Sequence, residues 1–257
     1  MFPLRRRPPT RRRILITGAS SGLGAELARQ YAATGADLAL AARRIDRIEA
    51  LAAELRAAHP QITVATAALD VTDAEAVFRV FADLDTALGG IDRVIANAGL
   101  GKGQPLGTGY HRANAETMTT NVLGVLAQAE AALELFRPRD TGHLVLVSSI
   151  SAVRGMARNL TVYAASKAAV ANLGEGLAAD LAGTGITVTT VLPGFIRSEI
   201  NAGMARVPFI VDTEPGCRAL RAAIDREPRR AAVPWWPWAP LGAVLRVAPA
   251  RLVAKVV

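Results

Sequence analysis

With 257 residues, half of them hydrophobic and only 20% charged, the chain can bury one large core, which excludes a disordered or fibrous protein. A net charge of +8 would suggest a nucleic-acid partner, but six of the cations are Arg5, Arg6, Arg7, Arg11, Arg12 and Arg13, leaving about +2 for the body. The single cysteine, Cys217, excludes an internal disulfide framework and fits a reducing cytoplasm, and three histidines (His59, His111 and His143) give a metal site little to build on.

Residues 1–13, with Pro3, Pro8 and Pro9 among the arginines, are expected to form a disordered basic arm. No apolar h-region follows them, so they do not read as a secretory signal. Ile14–Ile16 is a short β-branched run that reads as a buried strand. It leads into Thr17-Gly-Ala-Ser-Ser-Gly-Leu-Gly24 and a helical pattern over Ala25–Thr34 stopped by Gly35. Strand, glycine-rich turn and helix is the setting in which a backbone can approach a pyrophosphate, with the helix N-terminus offering unpaired N–H groups. Asp37–Ala42 reads as a second strand, followed by Arg43, Arg44 and a helix over Asp46–His59. Where an NAD site usually carries an acid for the ribose 2′-hydroxyl, this chain has Ala42 and then two arginines, which suit a 2′-phosphate or, more plainly, a solvated helix start.

Ile62–Leu69 is a third strand ending in Asp70-Val71, and Thr72 with Glu75 reads as a capping box opening a helix over Asp73–Leu88. Ile91–Ala96 is the fourth strand, ending in Asn97-Ala98-Gly99. Residues 100–112 read as a glycine-rich loop and 113–136 as one long helix with the polar Asn121 inside it. Leu144–Val147 runs into Ser148, Ser149 and Ser151, and a helix carrying Tyr163 and Lys167 extends to about Ala182. Four residues apart on a helix, tyrosine and lysine share a face, where an ammonium favours the phenolate and lowers its pKa. Ile186–Leu192 is strand six, ending in Pro193-Gly194. Six strands alternating with helices argue an α/β fold, a doubly wound parallel sheet of Rossmann type. The catalytic domain is placed at 14–215 and a C-terminal extension at 216–257.

Beyond residue 200 the segment with Asn201, Met204, Phe209 and Ile210 reads as a variable covering region, followed by a helix near 215–226. All three tryptophans then fall in Val233–Pro240, before the apolar stretch Leu241–Val257 with Arg246, Arg251 and Lys255. Four prolines exclude a spanning helix. A substrate lid, a subunit contact and a membrane-interface segment all stay open for this tail.

The motifs stand in an order that resembles the classical short-chain dehydrogenase/reductase family over residues 14–200. The resemblance implies an NADP(H)-dependent oxidoreductase interconverting an alcohol and a ketone or aldehyde on a fairly apolar substrate. It makes Tyr163 the general acid/base, assisted by Lys167, Ser149 and Asn121, the last holding a water. Gly18, Ser20, Ser21, Gly22, Leu23 and Gly24 would cradle the dinucleotide, with Arg43 and Arg44 at the phosphate. Asp70, Val71, Asn97, Ala98 and Gly99 would line its adenosine side, and Pro193, Gly194, Ile196 and Ser198 its nicotinamide side. A homodimer or homotetramer is implied, with no nucleic acid and a peripheral membrane contact left to the tail. Three departures stand out. Ser149 and Tyr163 are fourteen residues apart instead of the family's thirteen, which leaves Ser148 and Ser151 as alternatives. Ser21 stands where many NADPH-dependent members have a basic residue, and Ser198 replaces a threonine. The rival reading is an idle dinucleotide-binding sensor or scaffold at a membrane surface.

Overall fold

In the computed structural model, which describes residues 9–199 and 209–249, seven parallel strands form one sheet in the order β3-β2-β1-β4-β5-β6-β7. Arg5–Arg7, the segment 200–208 with Asn201 and Met204, and the tail from 250 with Arg251 and Lys255 lie outside the described residues. The chain runs β1 (Arg13–Thr17), α1 (Gly22–Ala32), β2 (Asp37–Ala42), α2 (Ile45–Ala58), β3 (Val64–Ala68), α3 (Ala74–Leu88) and β4 (Arg93–Ala96). Then come α4 (His111–Met118), α5 (Gly124–Phe136), β5 (Gly142–Val147), α6 (Thr161–Asp180), β6 (Ile186–Pro193), α7 (Thr213–Ile224), β7 (Arg230–Val233) and α8 (Trp235–Val247).

Strands covered on both faces need continuous apolar runs, and Ile14, Leu15, Ile16, Leu144, Val145 and Leu146 supply them. One face of the sheet packs against α1, α2 and α7 through Leu27, Leu51, Leu220 and Ile224. The other packs against α3, α5 and α6 through Phe81, Phe136 and Val170. Fully buried rings such as Phe81 and Phe136 each stabilise the fold by roughly 1.5–3 kcal/mol. β1 is bonded to β2 on one side and β4 on the other, so strand order reverses beside it. In an open α/β sheet, the crevice outside the strand ends at that point is where ligands bind.

Several expectations need correction. The basic run is not an arm as far as residue 13: Arg13 opens β1, and the buried Arg11 pairs with Glu227 at 2.9 Å. The cap of α3 is Asp73, whose carboxylate accepts from the Ala76 N–H at 3.0 Å, not Thr72, whose hydroxyl and N–H both turn back to Asp70. The loop after β4 ends at Tyr110, and the long helix is two helices joined by a π turn over Thr119–Leu123. The sheet has a seventh strand, β7, whose Arg230–Val233 pair with Thr190–Pro193 of β6. Four residues opening on an arginine and closing at Pro234 are too short for periodicity to register.

Candidate active site

The C-terminal ends of β1, β4, β5 and β6 lie side by side and carry the motif residues. Gly18 and Gly22 have φ of 64° and 54°, which only glycine adopts without strain. A Cβ on Gly24 would come within 2.5 Å of the Gly18 carbonyl oxygen, so the turn packs directly on the start of α1. The turn is tied to β4 through Thr17. Its hydroxyl accepts from the N–H groups of Asn97 (3.0 Å) and Ala98 (3.1 Å) and donates to Gln128 Oε1 at 2.7 Å. Asn97 Nδ2 returns a bond to the Thr17 carbonyl at 2.9 Å. Gln128 is fully buried on α5. Nothing in its helical spacing singled it out, because a lone glutamine in an alanine-rich helix reads as surface.

Tyr163 and Lys167 lie one turn apart near the start of α6, with the ammonium 5.8 Å from the ring centroid. Lys167 is 4% exposed, and its Nζ donates to the Val147 carbonyl at the end of β5 (3.0 Å). Burial disfavours its charge and brings its pKa down to about 8. Burial also pushes the Tyr163 hydroxyl above its ordinary value, opposed by a hydrogen bond with Ser149. The expected lowering of the tyrosine by the lysine is therefore not the balance seen, because the ammonium is turned toward Val147 and burial dominates.

The two other serines are placed differently. Ser148 Oγ is committed to the Lys167 carbonyl at 2.6 Å, and Ser151 Oγ is buried with no partner. Ser149 is the serine facing the tyrosine. Two 3-10 turns, Ile150–Val153 and Arg158–Leu160, with Arg158 at φ 56°, take up the longer spacing between them.

Asn121 sits inside the π turn, fully buried. Its Oδ1 accepts from the Leu100 N–H (2.7 Å), and its Nδ2 donates to the Leu100 carbonyl (2.9 Å) and to Ser166 Oγ (3.0 Å). It pins the loop after β4 to α6. A Cβ on Gly99 would lie 3.3 Å from Lys167 Nζ and 3.4 Å from Asn121 Oδ1, so that strand end brings the two groups together.

Of the cofactor-side residues, Arg44 turns back over the glycine turn, donating to Ser20 (3.0 Å) and Ser21 (2.8 Å). Arg43 is 70% exposed at its side chain, 4.0 Å from Asp70. Arg43 and Asp70 help to line a cavity of about 540 Å³ that reaches Leu100 and Thr119 but not Tyr163. Leu23 is packed against the core and Val71 is buried against Gly124. Ile196 is buried and bridged to Val211. Ser198 lies over Gly22, its Cβ 3.4 Å from where a Cβ of that glycine would be. Pro193 ends β6, and Gly194 is covered by Trp238, whose indole would lie 2.1 Å from a Cβ on that glycine.

A family model described as short chain dehydrogenase matches residues 12–206. The chain belongs to the short-chain dehydrogenase family. It is 54% identical over 246 residues to an uncharacterized oxidoreductase of Mycobacterium tuberculosis, covering 96% of this chain and 97% of the relative. An uncharacterized oxidoreductase of Myxococcus xanthus is 39% identical over 230 residues, 87% of this chain and 88% of the other. Among solved structures, a short-chain dehydrogenase from Sphingobium yanoikuyae in complex with NADPH superposes with a TM-score of 0.79 at 30% identity, covering 91% of this chain and 92% of that one. An alcohol dehydrogenase from Thermococcus sibiricus complexed with 5-hydroxy-NADP has a TM-score of 0.77 at 26% identity, covering 86% and 94%. Among the described residues no group of three or more His, Cys, Asp or Glu is arranged to hold a metal.

Proposed function

We propose that the chain is an NADP(H)-dependent oxidoreductase that interconverts an alcohol and a ketone or aldehyde on a fairly apolar substrate. The observation that carries this reading is the convergence of Ser149, Tyr163 and Lys167 at the strand ends beside a positive-φ glycine turn. Gly18, Ser20, Ser21, Gly22, Leu23 and Gly24 hold the diphosphate, Arg44 with Arg43 the 2′-phosphate, and Asp70, Val71, Asn97, Ala98 and Gly99 the adenosine side. Pro193, Gly194, Ile196 and Ser198 flank the nicotinamide, which when bound supplies or accepts the hydride.

In the reducing direction Tyr163 donates its phenolic proton to the substrate oxygen, where negative charge develops. Ser149 hydrogen-bonds the same oxygen and fixes the tyrosine. Lys167, held on Val147, keeps a positive charge beneath the phenolate that forms and binds the ribose hydroxyls. After the transfer the Tyr163 phenolate recovers a proton relayed from Lys167, and the lysine is recharged from solvent through a water held at Asn121, which fixes the Leu100 loop beside it.

Apolar side chains gathered beside the start of α6 and the end of β6 support an apolar substrate. Met156 and Ala164 pack with Leu160, Leu245 and Ala248, while Phe195 and Phe209 make edge-on contacts with the ring of Trp238. We take α8, rather than the whole of the C-terminal extension, as the lid of the substrate side. Met118, Leu123 and Leu126 are exposed on α4, the π turn and α5, which suits packing against a second copy in a dimer or tetramer. Among the described residues no helix is long and apolar enough to cross a membrane. The exposed Trp235 and Trp236 are where a peripheral membrane contact of a cytoplasmic protein would be made.

The test is oxidation of NADPH against NADH over a panel of apolar carbonyls. We expect NADPH to be preferred and Tyr163→Phe to lower turnover by about 10²- to 10⁴-fold. Arg44→Ala is expected to weaken NADPH binding by roughly 10- to 100-fold, the cost of losing a charged hydrogen bond, and to leave NADH nearly unchanged. Wild-type turnover in the phenylalanine variant would sink the mechanism, and an unchanged preference in Arg44→Ala the cofactor assignment.

A further inference from the structure

The cationic corner at the end of β2 already holds an anion that belongs to the chain. Glu199 Oε2 accepts from Ser21 Oγ at 2.9 Å and from an Arg44 guanidinium nitrogen at 3.1 Å, and its Oε1 accepts from Arg47 at 3.0 Å. Arg44 adds Ser20 to the same cluster. Two guanidinium groups and the Ser21 hydroxyl converging on one carboxylate beside a glycine turn, with Ser20 against Arg44, make a donor set suited to a phosphate monoester. Ser21, and after it Arg44, hold the Glu199 carboxyl below its usual value, so it stays ionised at neutral pH.

Glu199 arrives from the far side of the site. It follows Ile196, which is bridged to Val211, and Ser198, which lies over Gly22. The carboxylate and both arginines are half-exposed, so these ion pairs are weak and open to exchange. Ala42, at the end of β2, offers a ribose no side-chain acceptor, and the nearby Glu199 is a carboxylate of the kind that accepts from a 2′-hydroxyl.

We propose that Glu199 is a cofactor-selecting residue: seated on Ser21, Arg44 and Arg47 it stands in for the 2′-phosphate, and a dinucleotide carrying that phosphate must displace it. The proposal rests on the NADP(H) reading above. Its consequence is that the chain's preference for the phosphorylated cofactor is smaller than its arginines alone would give.

Calorimetric titration with 2′,5′-ADP and with ADP separates the two ideas without any turnover. Glu199→Gln is expected to tighten 2′,5′-ADP by about 3- to 10-fold, the scale of one or two exposed ion pairs no longer in competition, and to leave ADP unimproved. Unchanged or weaker binding of 2′,5′-ADP in Glu199→Gln, or equal tightening of both ligands, overturns the proposal. Arg44→Ala titrated alongside judges the reading beneath it. If Arg44→Ala selectively weakens 2′,5′-ADP while Glu199→Gln gains nothing, the Glu199 inference alone falls. If the wild type binds both ligands equally and Arg44→Ala changes neither, the NADP(H) assignment falls with it.

Discussion

Tyr163 and Lys167 are one helical turn apart, and burial moves both away from their charged forms. The phenol is pushed up and the ammonium down to about 8. At pH 7 the lysine is still mostly protonated, but it loses its charge as pH rises through about 8. Carbonyl reduction should therefore decline on the alkaline side of that value. A pH profile of single-turnover reduction checks this, and Lys167→Arg, which stays charged, should extend the plateau upward. The stability linkage has a definite sign. Between about pH 8 and the ordinary lysine value of 10.5 the unfolded chain binds more protons than the folded one. Wild type should thus gain stability relative to Lys167→Met across that window, measured by urea unfolding at both ends. A flat difference would mean that the buried lysine keeps its ordinary pKa.

At the scale of elements, α8 covers the chain where it leaves β6. Trp238 is 2% exposed, packed on Gly194 and edge-on to Phe195, with its indole N–H unbonded. Arg154 fastens the far end of the helix by donating to the carbonyls of Leu245 and Arg246. Trp238→Ala should cost about 3–5 kcal/mol of stability, as large-to-small changes in cores do. Gly194→Ala should be destabilising in the intact chain, because the new methyl meets the indole, and much less so when combined with Trp238→Ala. Denaturant unfolding of the two single variants and the double gives this coupling directly, and simple additivity would refute the contact. The composition of Val233–Pro240 announces an aromatic cluster, yet sequence does not say that one tryptophan turns inward while Trp235 and Trp236 are both 70% exposed. That choice depends on β7, which sets where the chain leaves the sheet.

Across the whole molecule, the N-terminal ends of the central strands, opposite the candidate active site, are held by a buried polar network. Arg93 donates to His143 Nδ1 (2.8 Å), Tyr31 and Asp225, while Glu227 joins Arg11, Arg93 and Thr187. An arginine can only donate, so His143 Nδ1 must accept and Nε2 carries the proton toward Thr189 Oγ1, 2.9 Å away. The 3.5 Å approach of Glu227 to Nδ1 would be an ion pair only for a charged ring. Burial, with Arg93 and Arg11 nearby, holds the His143 pKa well below 6.5, so the ring is neutral. The unfolded chain takes up that proton first, and stability should fall as pH drops below about 6.5. Urea unfolding between pH 7 and 5 should show a shallower acid loss in His143→Asn, and equal slopes would exclude the histidine as the cause.

This network ties together the N-terminal basic run, the middle of the chain and the C-terminal segment, and sequence reading separated all three. Arg11 and Glu227 are 216 positions apart. Charges in a proline-rich stretch read as solvated until a partner that far away is known.

What local sequence determined by itself was whatever short-range physics imposes: buried β-branched strands, a glycine turn whose φ values few other residues tolerate, and tyrosine and lysine on one helical face. Those fix the βα rhythm and hence the sheet edge where a site can form. Tertiary structure alone decided that Ser149 and not Ser148 faces Tyr163, since Ser148 is committed to the Lys167 carbonyl. It decided that Arg44 closes over the turn while Arg43 points out, that Glu199 meets that arginine, and that Trp238 roofs Gly194. Each of these is a contact between groups distant in sequence, or a choice among adjacent ones, and no periodicity encodes either.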